Sequence, residues 1–383
     1  MKHDFSILMN VVSPHMLPLG EAIAKRVCGH FSYLAIDRIT DLRRSIGWSD
    51  DKFPGDVILR DENERYEDFI ARTELLHKDV VLMSIRDWRL VRARHKLGLK
   101  TYFQFERWFR PPYGMWRLLY PPFLRMAYHF AKALISGHYV ALPIGVHAAS
   151  DMARLCGLMS GDIRCFFRAP RIRFERKTGG AVCMADGSAG RRYGLNNMRM
   201  WSYYVGCGDH KNSERRHRAM WVGRYLQCKR VEDIIRASIG ADMPIDLYGA
   251  GPEESRLRRE YCGREGVIFH GPLSSDEVRE QMRRHSVYIF ASDASDGWGV
   301  VVNEAMIEGM VVVGSVQPGA SATLIEDGFN GLLFNAGDVK ALQHCLQKLH
   351  SEELRINLAN NAKKQIFEKW MPSVAAKYLV EES

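Results

Sequence analysis

Among the 8 cysteines of the 383 residues no CxxC pair and no cysteine–histidine spacing of a zinc site occurs. A disulfide framework and a zinc module are thereby excluded, and a reducing compartment is favoured. No segment carries the run of about 18 apolar residues that a membrane span needs, and the first residues lack the basic start and apolar stretch of an export signal, so neither crossing nor export is expected. Neither glycine-rich turn completes GxGxxG with an acid about twenty residues on, which speaks against a nicotinamide-dependent dehydrogenase. The basic residues come without a nucleic-acid-binding motif, so no nucleic-acid partner is expected.

What is present suits a folded enzyme-sized chain: 46% hydrophobic and 10% aromatic residues, with length for roughly two domains. The net charge of +9 is unevenly placed. Residues 1–218 hold 36 Lys and Arg against 22 Asp and Glu, whereas residues 219–383 hold 18 against 23. A basic half attracts nucleic acid, an anionic membrane surface or a phosphorylated substrate, or is merely solvated; sign alone does not choose.

Near the start, the apolar run "FSILMNVV", the helical "EAIAKRV" and the strand-like "FSYLAI" make a βαβ opening. "KDVVLMS", a basic helix from Asp87 to Lys96, and "LKTYFQF" repeat it, as a parallel sheet requires. Residues 161–200 break the rhythm with polar and apolar alternation around "TGG", which predicts a β-hairpin insertion. A second series follows a polar linker: "AMWVGR", "PIDLYG", "GVIFHG", "SVYIFAS", "VVVGS" and "GLLF". The expectation is an α/β chain of two doubly wound, Rossmann-like domains facing a cleft: 1–205 for an acceptor, 206–360 for a nucleotide, and 361–383 as a C-terminal helix crossing back to the first.

The second half carries the chemistry. In open α/β sheets ligands bind beyond the carboxyl ends of strands, so Arg224 and Lys229, after "AMWVG", would lie at the ligand crevice, where two fixed cations offset a diphosphate. They could equally be plain surface cations. "LYGAGPEE" offers a glycine turn with Gly249, although proline and acids at a helix start are also ordinary capping chemistry. In "ASDASDGWGVVVNEAMIEG", Gly297 and Gly299 would let backbone approach a ligand, and the N–H groups of Val300 and Val301 would open a helix toward phosphate. Asp296 and Glu304 would accept hydrogen bonds from sugar hydroxyls.

In this order, "VGRYLQCKRVEDII", "LYGAGPE", "VIFHGPLSSDEV", "SDGWGVVVNEAMIEGMVVVGS" and "GASATLIEDGFNGLLFNAGD" resemble the donor domain of the retaining glycosyltransferases of family 4, the glycosyl transferases group 1, which have the GT-B fold. The resemblance covers residues 219–340. It implies that Arg224 and Lys229 bind the diphosphate of a nucleoside-diphosphate sugar, Glu304 its ribose and Asp296 the transferred sugar, with His270, Gly271 and Leu273 beside the base. It implies no cofactor and no metal. Asp296 stands where the family has Glu, a side chain one methylene longer. The alternatives from other classes are a nucleotide-sugar epimerase of related fold and a non-catalytic nucleotide-sugar-binding protein.

The first half resembles the family in architecture alone. His15 and Gly20, in and after the first strand-to-helix loop, could approach the sugar or serve the turn. Glu106, ending "TYFQFE", could meet an acceptor or pair with Arg107 or Arg110. Between Arg86 and Arg125 stand ten Lys and Arg against two acids, crowded by aromatics. That composition suits an interfacial segment as well as a packed core with a basic rim. The expected partners are a nucleotide-sugar donor, a saccharide or lipid-linked acceptor in bacterial surface polysaccharide or glycolipid synthesis, and an anionic membrane surface. The expected place is the cytoplasm, including the inner face of the membrane.

Overall fold

The computed structural model describes residues 4–40, 57–169, 172–177, 180–185, 193–207 and 215–381. The chain divides into two units, one of Met1–Phe109, Tyr113–Gly206 and Lys369–Ser383, the other of Arg110–Pro112 and Cys207–Glu368.

The first unit is built on a parallel sheet of β1 (Phe5–Met9), β2 (Phe31–Ala35), β3 (Val57–Leu59), β4 (Val80–Met83), β5 (Lys100–Phe105) and β6 (Val140–Pro143), ordered β3-β2-β1-β4-β5-β6. β1, β2 and β4 are buried throughout, which explains why they read as unbroken apolar runs rather than alternating ones. The hydroxyls of Ser6 and Ser32 satisfy each other across β1 and β2 at 2.9 Å inside that core. β7 (Ile172–Lys177) and β8 (Gly180–Ala185) form the antiparallel hairpin that the "TGG" turn predicted. The helix Pro372–Glu381 packs on the helix Leu17–Ala24, and the ring of its Tyr378 lies 6.0 Å from that of Tyr102.

The second unit repeats the design with β9 (Arg216–Val222), β10 (Ile245–Tyr248), β11 (Val267–Phe269), β12 (His285–Phe290), β13 (Val311–Ser315) and β14 (Leu332–Phe334), all parallel in the order β11-β10-β9-β12-β13-β14. Both orders are the doubly wound pattern in which direction reverses beside the first strand, and that reversal is where such sheets hold ligands. Six strands of the second unit fall where the sequence pattern puts them. Two of the first do not: β3 is a three-residue edge strand, and β6 is a four-residue strand that follows the 15-residue helix Pro121–Ile135 across Ser136-Gly137.

No helix among the described residues is long and apolar enough to cross a membrane.

Candidate functional site

The loops at the carboxyl ends of β9, β10 and β11 are laced by backbone hydrogen bonds. Gly223 N donates to Tyr248 O, Tyr225 N to Ala250 O and Gly249 N to Gly271 O, each at 3.1 Å. Gly249, at φ +134°, sits so close to its neighbour that a Cβ would stand 1.9 Å from Gly223 O. The physical demand for glycine here is loop against loop, and its N–H is already given to Gly271. Gly249, expected to lie against a donor, ties the loops at the floor of the site together. Gly271 differs, because a Cβ there would meet open space.

A second tie joins the turn Gln227–Lys229 to the loop after β12. Asp293 N donates to Cys228 O at 2.9 Å, Ser295 N to the Asp293 carboxylate at 2.7 Å and Asp296 N to Asp293 O at 3.1 Å. These bonds fix both loops, and Lys229 Nζ then donates to Asp296 Oδ2 at 2.5 Å, with both side chains mostly shielded from solvent. The sequence had assigned the two to different parts of a ligand; the structure pairs them. Arg224 stands exposed beside them in sequence, one residue beyond Gly223.

The DGWG turn is set by Trp298, which is buried and donates from Nε1 to Asn303 Oδ1 at 2.9 Å. Gly297 O and Trp298 O accept from Gly319 N and Ala320 N at 3.1 and 2.9 Å, so the next crossover clamps the same turn. Gly299 has φ +87°, and a Cβ on it would strike the Phe290 ring at 2.3 Å. Val300 caps the helix Val301–Ile307, which is one residue later than the apolar run suggests. Glu304 lies one turn into this helix. Burial pushes its carboxyl up to about 7, with Glu308 adding to the rise and Arg279 opposing it. Glu308 itself is spoken for by Arg279 and Arg283, at 2.5 and 3.4 Å.

Beside Gly271 and the half-buried Leu273, the His270 ring stacks on Tyr248 with centroids 4.4 Å apart and its Nε2 donates to Asp246 Oδ1, 3.1 Å away. Asp246 also receives Arg218 Nε at 2.8 Å and meets His285 Nε2 at 2.8 Å. Burial alone would raise its pKa, yet the bonds to His285, Arg218 and His270 pull it below the usual carboxylate range.

In the first unit, Glu106 accepts a hydrogen bond from Tyr203 Oη at 2.8 Å, and the His15 ring lies edge-on to the Tyr203 ring at 6.0 Å. Burial lowers the His15 pKa, which favours the neutral ring. Tyr203 thus gathers the two residues that the sequence singled out separately. Arg107 pairs instead with the buried Asp151 at 3.7 Å, and Asp151 also accepts from the N–H groups of Trp108 and Phe109 at 3.0 Å, pinning the loop behind Glu106. Gly20 has no room for a sugar: it is buried in the helix Leu17–Ala24, and a Cβ would fall 1.7 Å from Tyr33 Oη.

Sequence reasoning missed Tyr203, Asp151 and Trp298. The first two act across long stretches of chain and carry no local signal. The third had one, a tryptophan between two glycines in a loop, which is a ring that must be buried to justify its position.

Two doubly wound α/β domains, the second with basic and acidic side chains at its strand ends, define the GT-B architecture. Residues 216–352 match the family described as glycosyl transferases group 1, and the fold is that of solved GT-B glycosyltransferases. Among curated relatives it is 30% identical over 168 residues to an uncharacterized glycosyltransferase of Methanocaldococcus jannaschii, covering 40% of this chain and 42% of that one. It is 26% identical over 128 residues to the GtfA subunit of a UDP-N-acetylglucosamine–peptide N-acetylglucosaminyltransferase of Limosilactobacillus reuteri, covering 32% of this chain and 25% of that one. The match therefore spans only about a quarter of GtfA. The fold resembles Anabaena HepE, solved with UDP, at 15% identity and TM-score 0.66 over 100% of this chain and 99% of that one. It also resembles WaaG, a glycosyltransferase involved in lipopolysaccharide biosynthesis, at 13% identity and TM-score 0.57 over 98% and 99%.

Proposed function

We propose that this protein transfers a sugar from a nucleoside-diphosphate sugar to an acceptor, with retention and without a metal, in the synthesis of a bacterial surface polysaccharide or glycolipid. The observation that carries the reading is the Lys229–Asp296 pair at 2.5 Å, held by the tie between Cys228 and Asp293. Lys229, with Arg224, supplies positive charge for a leaving diphosphate, and Asp296 is an acceptor for sugar hydroxyls. The donor takes the place of each partner: its phosphate replaces Asp296 at the lysine, and its hydroxyls replace the lysine at Asp296. Glu304 accepts the ribose hydroxyls once ionised. Retention is drawn from the resemblance of the Asp296 to Glu304 segment, and freedom from metal from the fixed cations. A UDP-sugar is the donor to try first, since the GtfA relative is named for UDP-N-acetylglucosamine and HepE was solved with UDP. Glu106, oriented by Tyr203, is the acceptor-side carboxylate.

The test is a thermal-shift screen of nucleoside diphosphates and their sugars, since a ligand bound by the folded state alone raises stability. Product analysis with the stabilising donor follows. Sugar on an acceptor supports transfer, free altered sugar an epimerase, and stabilisation without turnover a non-catalytic binding protein. Absence of stabilisation by any nucleotide overturns all three. The basic, aromatic first half suits reversible docking on the anionic inner face of a membrane.

A further inference from the structure

The first unit contains two adjoining cavities that the donor chemistry does not use. One, of about 760 Å³, is lined by Arg86, Arg89 and Arg125; the other, of about 580 Å³, by Trp116, Tyr120 and Phe123. Pro122 and Met126 line both, so the two form one groove with a basic end and an apolar end.

The basic end carries an excess of positive charge, three arginines against Glu67 and Asp87. None of its three arginines makes an ion pair with a carboxylate among the described residues. The acids that share the cavity are already engaged: Asp87 accepts from Tyr66 Oη at 2.8 Å and from Arg89 N and Leu90 N at 2.9 and 3.1 Å, and Glu67 lies 3.9 Å from Arg65. The Arg86 guanidinium lies 5.1 Å from the Trp108 ring. Burial and the neighbouring Arg117 depress its pKa against the pull of Glu106. An anion delivered there would relieve this repulsion.

The apolar end sets the edge of the buried Phe123 among side chains that the fold leaves out of its core. Trp116 is 75% exposed, Leu119 74% and Tyr120 64%, and the turn Gly114–Leu119 buries no residue at all. Rings standing in water beside a groove cost free energy that a hydrocarbon chain laid against them would recover. Guanidinium forks in turn match phosphate oxygens two at a time.

We propose that this groove binds a phosphate-bearing amphiphile, its phosphate at Arg86, Arg89 and Arg125 and its hydrocarbon along Trp116, Tyr120 and Phe123. On the transferase reading, on which this role rests, the amphiphile is the lipid-linked acceptor, taken as a single molecule rather than as a bilayer surface. A free saccharide has neither the phosphate nor the tail that the two ends offer.

The experiment titrates the full chain with dodecyl phosphate below its micelle concentration, followed by calorimetry. Inorganic phosphate serves as the headgroup alone, dodecyl maltoside as the tail with a neutral head, and phosphatidylglycerol vesicles as the bilayer. Dodecyl phosphate is expected to bind at least tenfold more tightly than either half. The R86Q/R125Q double variant should lose about tenfold for dodecyl phosphate and nothing for dodecyl maltoside. W116A/Y120A, a change at exposed positions that the core does not need, should lose dodecyl phosphate while keeping inorganic phosphate. Equal affinity for inorganic phosphate and dodecyl phosphate, equal affinity for dodecyl maltoside, indifference to both double variants, or binding to vesicles alone would each overturn the groove. UDP is titrated in parallel. Loss of UDP binding with dodecyl phosphate retained would fell the transferase reading and leave the groove, and the converse would fell the groove and leave the transferase.

Discussion

The two sheets have one strand order and opposite characters at their carboxyl ends. In the second unit the loops after β9 and β12 bring Lys229 against Asp296, a full pair of opposite charges. In the first, the corresponding region collects a neutral imidazole, a phenol and one carboxylate around Tyr203, with unpaired arginines further out. A fold common to both therefore says nothing of the chemistry, which is written in the loops. The pair of opposite charges suits stabilising a diphosphate; the lone carboxylate beside a phenol suits handling a hydroxyl.

The sharpest way to break this comparison is Lys229→Ala. Turnover should fall about 100-fold or more through lost stabilisation of the leaving group, with folding retained by circular dichroism. Wild-type turnover in the folded variant would sink the assignment. Gly249→Ala comes next: its methyl would collide with Gly223 O, so the three laced loops must part and UDP affinity should drop by about tenfold or more in a titration.

Glu304 sharpens the contrast through pH. Its folded pKa of about 7 lies above the ordinary 4.5, so the folded state holds an extra proton between these values and loses stability as pH rises through that window. Ribose hydroxyls prefer the ionised form, so UDP should bind more weakly as pH falls below 7. Glu304→Gln should flatten both trends, measured by urea denaturation and by UDP titration at pH 5 to 8. A pH-dependent binding curve that survives in the variant would exclude Glu304 as its origin. A smaller effect belongs to the first unit: Tyr203→Phe removes one hydrogen bond to Glu106 and should lower turnover several-fold while leaving UDP affinity unchanged. The smallest effect expected is that of EDTA, which should leave turnover intact because fixed cations carry the phosphate charge. Loss restored by Mg²⁺ or Mn²⁺ would contradict this.

How far the sequence could be read follows from how local each feature is. The segment from "VYIFAS" to "NEAMIEG" is strand, loop and helix in immediate succession, and its apolar run, glycines and acids all signal within one short window. β3 and β6 were missed because strands of three and four residues, the second ending in proline, are too short to present such a pattern. Pairing was hidden for another reason. Lys229 and Asp296 are 67 residues apart and Glu106 and Tyr203 are 97 apart, so only tertiary structure shows that each carboxylate already has a partner. The basic stretch illustrates the limit of composition: Arg107 turns inward to Asp151 and Arg117 to Trp108 O, while Arg86, Arg89 and Arg125 line a cavity. Counting arginines could not separate these uses.

The helix Pro372–Glu381 gives the molecule a peculiar birth order. Its Ala375, Ala376 and Leu379 are buried in the first unit, against a helix that begins at Leu17. A ribosome therefore finishes nearly the whole second unit before it releases the piece that covers the first. The early-made domain must wait, with an apolar face bare, until the residues of the later one have been made. Disrupting the helix Pro372–Glu381 would accordingly wound the domain made first, not the one made after it.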